Sequence, residues 1–262
     1  MSKGKYYFSK SLEKGLKILA LFNRETSALT QSEIARKLEL NMTSTYRYIN
    51  TLVELGYLEK DARSKVIRPA IFCLPFCNNL IGATDHMHLI KGVIDRVHSD
   101  HNISIDTAFV VSQKIVRIYH RSAEETLTYR LPDSSSNCLH NTALGKAYLI
   151  SLEPEQLRQK IKAIKLTPKT PQTITTKADL LTDLDKSRLH GYATNIEEYL
   201  PGLIAIAAPL VDPRTGRGIG AVSFDFSVLQ ISAEDMEKSY AGLIREVAKT
   251  LSDLVPPDHS VN

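Results

Sequence analysis

No apolar run suited to crossing a membrane is evident in this 262-residue chain. The longest in its C-terminal half, 203–211 (LIAIAAPLV), is nine residues, about half of what a bilayer-spanning helix needs, so no membrane partner is expected. The N-terminal MSKGKYYFSKSLEKGLKIL interrupts its apolar positions with Lys and Glu and lacks the h-region and small-residue cleavage site of a secretory signal. Only three cysteines occur, Cys73, Cys77 and Cys138. An odd, small number excludes a disulfide-stapled scaffold and points to a reduced, cytoplasmic protein. Catalytic signatures are equally scarce: there is no Gly-x-Gly-x-x-Gly, Walker A, Gly-x-Ser-x-Gly or His-Glu-x-x-His. What remains, 43% hydrophobic and 24% charged residues, is an ordinary globular composition with room for two domains.

The net charge of +4 is unevenly distributed. Residues 1–70 hold 13 Lys and Arg against 7 Asp and Glu, whereas residues 71–262 hold 20 against 22. A local basic excess is the footprint of a polyanion-binding module, although a solvated lysine-rich face has the same composition.

Periodicity gives that basic segment a form. From Ser11, Leu12, Leu16, Leu19 and Ala20 recur at helical spacing, which predicts a first amphipathic helix ending near Phe22–Asn23. Thr30-Gln-Ser-Glu33 is a capping box opening a short second helix with Ile34, Ala35 and Leu38 inward. Asn41 is the N-cap of a third helix, with Thr45, Tyr48, Ile49 and Leu52 inward and Gly56 at its end. Two helices across so short a turn form a helix-turn-helix. Met42, Thr43, Ser44, Tyr46, Arg47 and Asn50 fall on the other face of the third helix, and side chains of these types grip phosphates and read base edges. Tyr57–Lys60 and Lys65–Arg68 alternate as two short strands about Asp61–Ser64, a wing carrying Arg63 and Lys65. A packing unit with a polar surface is the structural alternative. The candidate DNA-contacting set is Thr30, Gln31, Ser32, Met42, Thr43, Ser44, Tyr46, Arg47, Asn50, Arg63 and Lys65.

Beyond residue 70 the charge drops, and Pro75 within Cys73–Cys77 marks a break in regular structure and a domain junction. A helix is expected from about Asn79 to Val97. Ile105–Val111 and Ile115–Tyr119 read as strands joined by a polar turn, as do Leu203–Val211 and Gly218–Phe226 about Asp212–Gly216. Thr142–Ser151 and Ala178–His190 read as helices, the latter closed by Gly191. This mixture predicts an α+β domain with a largely antiparallel sheet.

Several fragments in order resemble the IclR family of bacterial transcriptional regulators: Ser11–Leu19, Ser32–Leu38, Thr43–Tyr57, His140-Asn-Thr-Ala-Leu-Gly-Lys-Ala147, Gly191–Glu198, Ala205–Pro209 and Ala221–Phe224. The resemblance covers almost the whole chain. It implies a winged helix-turn-helix, a linker helix that helps dimerise, and a GAF/PAS-like effector-binding domain with an antiparallel sheet. The corresponding domain division is residues 1–72, 73–97 and 98–256. It also implies an effector pocket around Thr142, Ala143, Gly145, Asn195, Ala205, Ser223 and Asp225. Here Asn195 replaces the acidic residue, and Ala205 the cysteine, common in that family. An amide both donates and accepts, so a neutral polyol or a hydroxy acid is the expected ligand. Helix capping by Thr142, turn or surface positions for Asn195, Glu197 and Glu198, and an outward-facing Asp225 are the structural alternatives.

The expected protein is thus a homodimeric or homotetrameric regulator, a repressor of catabolic genes. It binds a double-stranded DNA operator and senses a small organic or sugar acid, with no cofactor and no catalytic residues. An enzyme of sugar-acid metabolism is the competing class. His86, His88, His98, His101, Cys73 and Cys77 could in principle recruit zinc, but no complete ligand set is recognisable and no metal is expected.

Overall fold

The computed structural model describes residues 7–23, 26–83, 85–111, 114–124, 134–135 and 139–255. The chain divides into two compact units, Met1–Thr84 and Asp85–Asn262. Among the described residues, no helix is long and apolar enough to cross a membrane.

In the first unit, helices α1 (Lys10–Leu19), α2 (Gln31–Lys37) and α3 (Met42–Glu54) are each opened by a side-chain cap. Ser9 accepts from Leu12 N, Asn41 accepts from Ser44 N at 2.8 Å, and Thr30 and Glu33 form the reciprocal capping box. These caps satisfy N–H groups that have no acceptor inside the helix. Strands β1 (Leu29–Thr30), β2 (Leu58–Lys60) and β3 (Val66–Pro69) form an antiparallel sheet in the order β1-β3-β2. Ile18, Leu29, Ile34, Ile49, Leu52, Leu58 and Ile67 make the core. Two expectations change here. Ile18 is the buried anchor of α1, whereas Leu12 and Leu16 are 64% and 55% exposed. Pro75 breaks nothing: it lies in the first turn of α4 (Cys73–Gly82), where a missing N–H costs no helical hydrogen bond. The single helix expected over 79–97 is therefore two, α4 and α5 (Asp85–His101).

The second unit contains, with α5, strands β4 (Ser104–Val111), β5 (Lys114–Arg121) and β6 (Ser134–Ser135), helices α6 (Ala143–Ile150), α7 (Pro154–Ala163) and α8 (Lys177–His190), strands β7 (Ala193–Ile196), β8 (Leu203–Val211) and β9 (Gly218–Ser227), and helix α9 (Ala233–Leu254). The described strands form one antiparallel sheet in the order β6-β5-β4-β9-β8-β7. Alternation along the strands gives the sheet two different faces. Ile105, Ile204, Ile206, Val222 and Phe224 pack with α5 and α9, while Ala108, Ala205, Ala207 and Ala221 pack with α6, α7 and α8. All eight residues of α6 are buried. Its close seating requires Gly145, since a Cβ there would stand 2.5 Å from the Leu139 backbone. Gly191 closes α8 in the left-handed conformation, φ 74°, which glycine adopts without steric penalty.

Candidate nucleic-acid interface and ligand cleft

The recognition-type helix α3 divides its residues as its periodicity requires. Thr45, Ile49 and Leu52 are buried, while Met42, Thr43, Tyr46 and Arg47 are exposed, and Ser44 and Asn50 are half-buried. The residues at the start of α2 mainly build the motif. The Thr30 hydroxyl donates to Glu33 Oε2 at 2.8 Å and accepts from Glu33 N, and the Thr30 backbone N–H donates to the same oxygen at 2.7 Å; that backbone bond first, and the hydroxyl second, hold the Glu33 carboxyl below its ordinary pKa. Gln31 Nε2 donates to Met42 O at 3.2 Å, tying α2 to the first turn of α3, while Ser32 is exposed. On the wing, Asp61 Oδ1 accepts from Arg63 N, Ser64 N and Ser64 Oγ, fixing a turn from which Arg63 and Lys65 project into solvent. Lys65 belongs to this turn, with φ 59°, and not to the strand. Sequence reading passed over Lys60, whose ammonium lies 5.5 Å from the centre of the Tyr46 ring. The alternation that buries Leu58 also puts Lys60 on the α3 side of the hairpin, so the signal was present.

In the second unit a small cleft opens at the start of α6, lined by Thr142, Ala143, Leu144, Asn195, Tyr199, Leu203, Ala205, Ser223 and Asp225. Six of the seven sequence-predicted pocket residues meet there. Gly145 does not line it, being turned onto Leu139. Leu144, Tyr199 and Leu203 were not anticipated. Thr142 is an N-cap, its Oγ1 accepting from Gly145 N at 3.1 Å. The first-turn N–H groups of Ala143 and Leu144 have no acceptor within the helix and carry its positive dipole end, a setting suited to a carboxylate.

Asn195 holds the frame of this cleft. Its Nδ2 donates to Asn141 O, and its Oδ1 accepts from Glu198 N at 3.2 Å, joining β7 to the loop before α6. Asp225 faces the cleft, and Ser223 Oγ donates to its carboxyl at 3.2 and 3.3 Å. Burial first, and the adjacent Asp106 carboxylate second, raise the Asp225 pKa well above the ordinary value of 3.8.

Behind α6, Lys146 is only 1% exposed. Its Nζ meets Glu198 Oε1 at 2.5 Å, Asp183 Oδ2 at 2.8 Å and Thr194 O at 3.2 Å. Burial raises the Glu198 pKa and Lys146 opposes that rise. Glu198 is thus a buried partner and not a surface residue. His140, fully buried with Nε2 3.3 Å from Thr167 O, is depressed mainly by desolvation. Cys138 lies outside the described residues. His98 is buried with Nδ1 2.9 Å from Ile103 O. Among the described residues, no group of three or more His, Cys, Asp or Glu is placed to hold a metal.

Two family models match. One, described as bacterial transcriptional regulator IclR C-terminal, covers residues 79–253, and the other, the IclR helix-turn-helix domain, covers residues 11–62. Similar proteins include the HTH-type transcriptional regulator BhcR of Paracoccus denitrificans, 25% identical over 93% of this chain and 86% of that protein. The HTH-type transcriptional regulator KdgR of Escherichia coli is 25% identical over 84% of this chain and 83% of that protein. Among solved structures, an IclR-type regulator from Alicyclobacillus acidocaldarius aligns at a TM-score of 0.83 with 19% identity, covering 95% of this chain and 99% of that one. An IclR homologue from Microbacterium hydrocarbonoxydans, complexed with 4-hydroxybenzoate, aligns at 0.75 with 20% identity, covering 93% and 98%. At these identities the structural likeness establishes the fold alone.

Proposed function

Because the chain belongs to the IclR family of bacterial transcriptional regulators and is a regulator, not an enzyme, we propose that it represses catabolic genes by binding an operator and releasing it in response to a small organic or sugar acid. Residues 1–72 read DNA, 73–97 link, and 98–256 bind effector and oligomerise. The observation that carries this reading is the division of α3 into a buried stripe and an exposed face of Met42, Thr43, Tyr46 and Arg47 beside a basic wing. Hydroxyl, aromatic and guanidinium groups on one helix face suit a DNA groove.

The cleft at the start of α6 supports the sensing role. A carboxylate there meets helix N–H groups, and the Asp225 and Ser223 side chains add polar contacts. Exposed Leu12 and Leu16 on α1 and Leu74, Phe76 and Leu80 on α4 favour a homodimer or a pair of dimers, since apolar surface of this kind is covered by association. Effector changes operator affinity only through unequal affinity for the two dimer arrangements. Relatives include both a repressor named AllR and a p-hydroxybenzoate hydroxylase transcriptional activator, so the sign of control is measured directly.

The test is a gel shift with DNA from upstream of the protein's own gene and its neighbours. Arg47→Ala lowers operator affinity by about 1–3 kcal/mol with the fold intact. Unchanged affinity and salt dependence in the folded variant would remove α3 from the interface.

A further inference from the structure

One stretch of the second unit is charged unlike the rest of it. Residues 156–178 hold six cations, Arg158, Lys160, Lys162, Lys165, Lys169 and Lys177, and no Asp or Glu. The remainder of residues 71–262 holds 14 Lys and Arg against 22 Asp and Glu. Leu157 and Ile161 pack α7 onto the core, which leaves Arg158 and Lys162 on its exposed side. Lys177 Nζ donates to Lys162 O at 2.7 Å, bringing the start of α8 against the end of α7. Between the two helices the chain is pinned. Thr170 Oγ1 donates to Glu197 O and Thr173 Oγ1 to Glu198 O, each at 2.7 Å, and Thr173 Oγ1 accepts from Lys169 N at 3.0 Å. Lys165 and Lys169 are exposed along this fixed segment. Arg158 has a Glu155 oxygen 4.0 Å away, but among the described residues no carboxylate pairs with Lys162, Lys165, Lys169 or Lys177. Like charges gathered without counter-charges repel one another, and the packing of the fold gives no reason for Lys162, Lys165 and Lys169.

We propose that this face is a second DNA-binding surface, one that grips the sugar-phosphate backbone of duplex DNA without reading its sequence. This rests on the chain's role as a DNA-binding regulator. The composition of the face selects the partner. Lysine is a point charge on a flexible stem, suited to phosphate, and phosphate contacts carry no sequence information. Exposed Thr167 and Thr175 add hydroxyls of the kind that bond phosphate oxygens. An acidic protein is the poorer fit, because protein interfaces are anchored by aromatic and other large apolar side chains and are depleted in lysine. No large apolar side chain is exposed anywhere in residues 156–178. In composition the face is the converse of α3, where Met42, Tyr46 and Arg47 offer groups that discriminate between bases. One surface specifies the site, and the other adds hold.

The experiment measures binding of the full-length protein to a mixed-sequence duplex of about 60 base pairs and to DNA from upstream of its own gene, by fluorescence anisotropy between about 50 and 200 mM salt. The slope of log affinity against log salt counts the phosphates neutralised, about 0.9 for each. The triple variant Lys162→Gln, Lys165→Gln, Lys169→Gln changes exposed side chains only and melts like wild type. It flattens the slope by about 2–3 on both duplexes and leaves the ratio of the two affinities unchanged. A control triple, Lys186→Gln, Lys238→Gln, Lys249→Gln, removes as much charge from exposed positions of α8 and α9 and flattens the slope by less than about 1. An unchanged slope in the folded first variant, or equal flattening by the control, overturns the second surface and leaves the helix-turn-helix reading standing. Unchanged DNA binding together with lost binding of poly-glutamate assigns the face to an acidic protein and overturns the proposal as well. If the wild-type protein binds neither duplex, the regulator reading itself fails, and this surface with it.

Discussion

The two faces of the C-terminal sheet are built from the same strands yet composed oppositely. Toward α5 and α9 the strands present Ile105, Ile204, Ile206 and Phe224, large apolar groups that fill space. Toward α6 they present Ala205, Ala207 and Ala221, with Asp106, Ser223 and Asp225 at one end. Because neighbouring residues of one strand serve opposite faces, packing strength and ligand room come from alternate positions of the same segments. The first face holds the unit together, and the second leaves a space with chemistry in it.

Substitutions separate the two roles. The largest effect belongs to the packed face: Phe224→Ala, fully buried, lowers unfolding free energy by about 3–5 kcal/mol, read from urea melts of the full chain. If the loss is below 1 kcal/mol, the face toward α9 is not the load-carrying one. Lys146→Met comes next, at about 3 kcal/mol, because it leaves the buried Glu198, and beside it the partly exposed Asp183, without their cation. Protonation of Glu198, already favoured by its burial, moderates the loss, so the variant recovers part of its stability in mild acid. A pH-independent deficit would contradict that account.

The smallest effect is on the cleft side and lies in pH dependence. The folded state raises the Asp225 pKa above 3.8, so it binds this proton more tightly than the unfolded chain. The resulting stabilisation is full below 3.8 and is lost as pH rises through the folded value. Asp225→Asn cannot titrate, so its stability relative to wild type increases with pH across that window. A difference that is flat in pH would mean that the Asp225 carboxyl is not perturbed. The depressed His140 contributes to both proteins alike and cancels in the comparison.

Legibility in the sequence followed the range of the interaction. Caps at Thr30, Asn41 and Thr142 and the stop at Gly191 depend on residues within four positions, and they appear where the sequence pattern puts them. The cleft residues were found through motif resemblance, since no local rule brings 142, 195, 205 and 223 together. Lys146 with Asp183 and Glu198, and Asp106 with Arg117 and His120, were missed: each depends on strand or helix neighbours that local periodicity does not encode. Burial of a lysine inside an otherwise apolar helix is also opposite to what its side chain suggests. Pro75 shows the converse error, a breaker whose effect depends on its position within the turn.

Lys146 also ties separate elements of the second unit together. One ammonium clamps α6 to α8 through Asp183 and to the β7 end through Thr194 and Glu198, while Asn195 fastens the loop before α6 to the same place. The start of α6, the loop before it, α8 and the end of β7 are thereby joined into one connected piece beside Ala143 and Leu144. Pulling α6 away from β7 would separate a buried ion pair, which costs on the order of 3–5 kcal/mol.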